Sequence, residues 1–254
     1  MAIENLVHAL GTDKVVNIRY GVWSSDPYYQ NNPENVQRTG YYGIGTSTPQ
    51  AEVDGVYHMI GSTTIANNVG PRVNTRLPIP SPYEIKVRGD IGTSSVDVTV
   101  ILTDTPPSGN KMLRIAVIEK TYDWPTAPGS NGQTHYEGCL LDMVPNPTGT
   151  PVTVSTVGDS QTFSFNYNTN QVNFHPSLGL TIVAFVQNDA NREVLQAGYF
   201  DGRVGMGSYK TAALIESNET ALLSGFISND FSNSANLLFR IKGQVPAGWT
   251  VAVT

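Results

Sequence analysis

Few residues in this chain have the types and spacing that chemistry needs. Cys139 is the only cysteine in 254 residues, which excludes an intrachain disulfide, a Cys-x-x-Cys pair and a cysteine-rich zinc site. It sits in "YEGCLLDMV", with no Lys, Arg or His within two positions to lower its pKa. That is the setting of a buried, inert thiol in a strand. The four histidines, His8, His58, His135 and His175, nowhere form a pair at metal-ligand spacing, so no metal and no cofactor is expected. Glu119 and His135 lie on segments that can be adjacent strands, an arrangement open to acid–base work. No nucleophile motif such as G-x-S-x-G accompanies them, and a structural hydrogen bond is the expected outcome. "GRVGMG", 202–207, lacks the Lys-Ser/Thr of a phosphate loop and reads as a domain junction. "NET", 218–220, fits an N-glycosylation triplet, a pattern common by chance. The aromatic set Trp23, Tyr28, Tyr29, Tyr41 and Tyr42 is a candidate platform for a peptide or glycan if exposed, and ordinary core and loop packing if not.

The elements that must position these residues are mostly strands. Charged residues make up only 14% of the chain, while 24 Gly and 16 Pro supply turns at short intervals. A formal charge of -6, with no basic run among the 15 Lys and Arg, argues against nucleic acid. No apolar run approaches the length of a transmembrane helix, and "MAIENLVHAL" lacks the basic and apolar regions of a signal peptide.

At the front, "IENLVHAL" has helical spacing, and Gly11 is placed to stop it. "VVNIRYGVW" is expected as a strand, "NNPENVQRTGYYGI" as a helix with Pro33 near its start, and "QAEVDGVYHMIG" as a hairpin turning at Asp54-Gly55. "NTRLPIPSP", 74–82, has the composition of a linker. From about residue 80 the period becomes two, as at Val96, Val98, Val100 and Leu102. Strands are expected at "PVTVSTV" and "QTFSFNY", and "LTIVAFVQN", with its continuous apolar run, suits a central strand paired with "EVLQAGYF". Further short strands follow to the end of the chain.

Three stretches together resemble one family, the secreted bacterial outer-membrane proteins of the Omp-twenty-eight type, which join a thioredoxin-like domain to a β-sandwich. They are "DPYYQNNPENVQRTGYYGIGTSTPQAEVDG", "LRIAVIEKTYDWPTAPGSNGQTHYEGCLLDMVPNPTGTPV" and, most specific, "LTIVAFVQNDANREVLQAG". In addition, "GQVPAGWTVAV" is similar to a strand of the immunoglobulin-like domains appended to such proteins. The resemblance implies a mainly β chain with a small α/β N-terminal part. Residues 1–75 would be a partial thioredoxin-like unit without its CxxC portion, 76–202 a β-sandwich, and 203–254 a partial immunoglobulin-like unit. It places Pro49 at the cis-proline position, with Thr48 presenting its backbone to a substrate. With one cysteine there is no dithiol for disulfide exchange.

The expected function is therefore non-catalytic, structural or adhesive, at a cell surface or outside the cell. Its partners would be itself or other surface proteins, engaged through sheet edges left unfinished at both ends. Two rivals stay open: a fragment of a secreted thiol-disulfide oxidoreductase whose active-site half lies elsewhere, and a peptide- or carbohydrate-binding module using the Tyr-rich face. Thr48, Pro49 and the five aromatic residues are the candidate binding residues in either case.

Overall fold

The computed structural model describes residues 2–24, 26–29, 33–44, 47–90, 93–168, 175, 179–201, 205–208 and 225–228. Three helices lie near the N-terminus: α1 (Ala2–Leu10), α2 (Pro33–Tyr42) and α3 (Ser62–Arg76). Between α2 and α3 run β1 (Gln50–Val53) and β2 (Tyr57–Ile60). Beyond α3 the described elements are all strands: β3 (Tyr83–Asp90), β4 (Ser95–Leu102), β5 (Lys111–Asp123), β6 (His135–Val144), β7 (Thr150–Pro151), β8 (Ser160–Asn166), β9 (Leu180–Asn188), β10 (Val194–Asp201), β11 (Gly205–Ser208) and β12 (Gly225–Ser228). The chain is mainly β.

Local chemistry sets the N-terminal elements. α1 stops at Gly11, whose φ of 88° is open to glycine and whose N–H donates to Val7 O at 2.8 Å. α2 begins on Pro33, which has no N–H to waste at the first helical position. β1 and β2 pair antiparallel around Asp54 (φ 52°) and Gly55 (φ 68°), the positive-φ couple of a tight hairpin turn. One face of this hairpin, with Ala51, Val53 and Met59, packs on Ile65, Val69 and Val73 of α3 and on Ile3 and Leu6.

Three expectations need correction here. Residues 15–23 are not a strand; they make one parallel bridge, Arg19 to Cys139, in which Arg19 N donates to Gly138 O (2.7 Å) and its O accepts from Leu140 N (3.0 Å). Their alternating Val16, Ile18 and Tyr20 instead cover a sheet face. α3 occupies a stretch in which no element was expected and reaches Arg76, inside the expected linker. "PVTVSTV" contributes only Pro151, the second residue of β7, although Val152 and Val154 still pack on the core.

The strands from β3 to β10 form two antiparallel sheets. One has the order β10-β9-β5-β6, with β7 also on β5; the other is β3-β4-β8. Their facing surfaces enclose the main core, including Val98, Val100, Leu113, Ile115, Ile182, Ala184 and Val186. The opposite face of the larger sheet is also covered. Ala116, Ile118, Leu140, Met143, Val183 and Phe185 meet Val16, Ile18 and Tyr20 there. Every residue of β9 is buried as a result, which is why its apolar run does not alternate. β11 and β12 pair antiparallel. Residues 209–224 and 229–254, where most of the expected immunoglobulin-like unit and the "NET" triplet fall, lie outside the described residues.

Candidate functional site

The five aromatic residues divide among three environments. Trp23 is 48% exposed, and its indole N–H donates to Thr48 Oγ1 at 2.8 Å. Thr48 and Pro49 are exposed, and the peptide bond between them is cis. Asp26 organises the loop that presents Trp23. Its N–H donates to Trp23 O (2.8 Å), its side chain accepts from Tyr28 N (2.9 Å), and Arg19 pairs with its second oxygen (3.2 Å).

The Thr48-Pro49 pair leads directly into β1. Pro49 O accepts from Gly61 N at 2.9 Å, continuing the β1–β2 register. Because hydrogen bonding alternates along an antiparallel pair, residues 49, 51 and 53 point their backbone groups at β2, and Gln50 and Glu52 point theirs away. β1 pairs with β2 alone among the described strands. Trp23, Thr48 and the outward groups of Gln50 and Glu52 therefore border the edge of β1 that no other described strand pairs with. The hairpin face opposite the one packed on α3 carries the Glu52–His58 pair (2.5 Å), with the Glu52 side chain largely buried, and Ile60, which is 52% exposed.

Tyr28 belongs elsewhere. It is buried, and its hydroxyl donates to Glu119 Oε2 at 2.5 Å. Burial first, then that hydrogen bond, holds the phenol well above its ordinary pKa, so Tyr28 remains a donor. Tyr136, Cys139 and Leu141 pack around it. Burial likewise pushes the Cys139 thiol far up, which removes the thiolate that exchange or metal binding would need. Glu119 is not paired with His135. Its partners are Tyr28 and His175, while His135 bridges Asp123 (2.7 Å) and Glu137 (2.8 Å). Tyr29 is half-buried beside this loop.

Tyr41 and Tyr42 lie at the other end of the sheet, in a buried polar hub that the sequence did not announce. Arg38 of α2 and Arg114 of β5, each 1% exposed, both donate to Gln187 Oε1, at 3.0 and 3.1 Å. Arg114 also grips Asp189 with two contacts, at 2.9 and 3.1 Å. Tyr41 OH donates to Asp189 (2.7 Å), and Tyr42 OH accepts from both Arg38 (2.9 Å) and Gln187 (3.1 Å). The Arg38 and Arg114 guanidinium carbons sit 4.5 and 4.7 Å from the Tyr41 ring centroid. Burial, with the Asp189 bond second, pushes the Tyr41 pKa up to about 12. This arrangement clamps α2 to the β9–β10 turn. Arg76 adds a second clamp through Asp54 (2.9 Å) and Glu193 (2.8 Å). Both clamps close on "QNDANRE", within the stretch that looked most specific in sequence; its polar density after a fully apolar strand was the available signal.

Among the described residues no group of three or more His, Cys, Asp or Glu could hold a metal. No helix of the described residues is long and apolar enough to cross a membrane.

No protein-family model and no curated sequence matches the chain. Solved structures do. HBP35 of Porphyromonas gingivalis superposes with a TM-score of 0.53 at 13% identity, over 83% of this chain and 71% of that one. A structural-genomics protein from Agrobacterium tumefaciens gives 0.48 at 14% identity, covering 85% and 90%. A domain of the outer membrane lipoprotein Omp28 from Porphyromonas gingivalis gives 0.31 at 16% identity, covering 48% and 88%. At these identities the likeness to HBP35 is one of fold.

Proposed function

We propose that this chain is a non-catalytic, adhesive protein of the cell surface that associates through the outer edge of β1. Its units would be the partial thioredoxin-like 1–75, the sandwich 76–202 and the partial immunoglobulin-like 203–254. The surface location rests on the sequence resemblance described above. The observation that carries the function is the two-stranded β1–β2 sheet: Gln50 and Glu52 direct their backbone groups away from β2, where no other described strand pairs with them, beside exposed Trp23 and Thr48. Such an edge templates an incoming strand. A second copy of β1 laid antiparallel about a two-fold axis supplies a partner of matching length and register, giving a four-stranded sheet. The raised, buried Cys139 thiol supports the absence of disulfide chemistry.

Glu52→Pro tests this directly. It removes one outward N–H while leaving the inward pairs at 51 and 53 intact, and Glu52→Ala controls for the side chain. In sedimentation velocity over a concentration series, wild type and Glu52→Ala should associate and Glu52→Pro should remain monomeric. A wild type that stays monomeric throughout, or a Glu52→Pro variant that associates equally, would contradict the proposal.

A further inference from the structure

The buried carboxylate of Glu119 is the feature that neither the fold nor the β1 edge accounts for. It is 1% exposed, and burying a carboxylate is costly unless a cation and hydrogen bonds accompany it. Tyr28 OH satisfies Oε2. Oε1 accepts two bonds from one residue, His175: its backbone N–H at 2.7 Å and its Nδ1 at 3.0 Å. Among the described residues no Lys or Arg forms an ion pair with Glu119, so the His175 imidazole is the group that can carry a compensating charge.

The surroundings of that imidazole are aromatic on two sides. Its ring stacks on Tyr122, with centroids 3.3 Å apart and planes 7° from parallel, and it meets Trp124 edge-on at 5.6 Å and 89°. Tyr122 and Trp124 are themselves perpendicular, 5.1 Å apart. Two perpendicular aromatic rings around a group that is hydrogen-bonded to a carboxylate make up the chemistry that holds organic cations. The His175 side chain is 24% exposed against 1% for Glu119, so the imidazole is the more accessible partner of the pair.

We propose that Glu119, Tyr28, Tyr122 and Trp124 form a binding site for an N–H-bearing alkylammonium group, and that His175 fills it as an internal ligand. An alkylammonium head replaces the imidazole donor at Glu119 Oε1, and its methylene stem lies along the rings that the imidazole now covers. The site is independent of the β1 edge.

The probe is n-butylammonium chloride, with n-butanol as its uncharged counterpart at matched ionic strength. Binding is followed by NMR on the Trp124 indole N–H, assigned by its loss in Trp124→Leu. With the internal ligand removed, His175→Ala should bind n-butylammonium about tenfold more tightly than wild type and show no comparable response to n-butanol. Glu119→Gln in the His175→Ala background should abolish binding. Affinity in His175→Ala no higher than in wild type, equal binding of n-butanol, or binding that survives Glu119→Gln would each overturn the site. Should that double variant fail to fold, His175→Ala with Tyr122→Leu retains the carboxylate and removes one wall, and an unchanged affinity there overturns it equally. A peptide, acetyl-Gly-Lys-Gly-amide, distinguishes sources: binding as tight as the free amine assigns a lysine side chain as ligand, and binding of the amine alone assigns a small molecule.

Discussion

At the residue scale, positions with no freedom mark where the N-terminal unit meets the sandwich. Gly55 has φ 68°, and a Cβ there would stand 2.0 Å from Arg192 O and 3.2 Å from the Gln187 side chain. Gly55→Ala thus combines a left-handed backbone penalty with a collision against main chain that cannot step aside. The expected loss is about 2–3 kcal/mol of unfolding free energy, measured by urea denaturation; a change below about 0.5 kcal/mol would show that the hairpin tip does not dock as described. Asp54-Gly55 was legible in the sequence because a hairpin turn demands those residue types. Its docking was not legible, because nothing local to the turn names Arg192, far along the chain, as its neighbour. The same holds for Arg38 and Gln187: polar residues in a helix and at a strand end read as solvent-facing until the opposing element is known.

At the element scale, the fate of each helix follows from what covers it. α3 escaped sequence reading because "STTIANNVGPRVNTR" combines Pro71, three Asn and β-branched residues, all weak helix formers. Its buried residues, Ile65, Val69 and Val73, recur every fourth position, and that stripe, docked on the hairpin, outweighs propensity. α2 docks partly through Glu34, whose Oε2 accepts from Met143 N at 2.8 Å. Burial, and then the neighbouring Asp142 carboxylate, raise the Glu34 pKa from 4.5 to about 7. A carboxyl group whose pKa is raised on folding favours the folded state most when protonated, so its contribution is full below pH 4.5 and declines as pH climbs through about 7. Glu34→Gln should therefore be more stable than wild type at pH 8 and gain nothing at pH 4.5, by denaturant titration at each pH. An equal gain at both would mean that ionisation of Glu34 is not what opposes docking.

At the scale of the whole molecule, the sandwich was legible because one sheet face buried against another imposes a period of two, and β9 declared itself by breaking it. What composition could not show is that the N-terminal segment covers the second face of the larger sheet, while the outer edge of β1 pairs with no other described strand. That edge is the centre of the functional account. Amide hydrogen exchange at single-residue resolution, in dilute and in concentrated protein, tests it most directly. The Ala51 and Val53 amides, bonded to β2, should exchange slowly at both concentrations. The Gln50 and Glu52 amides should exchange rapidly when dilute and become protected as concentration rises. If Gln50 and Glu52 remain rapid in samples that sedimentation shows to be associated, association uses another surface and the account is wrong.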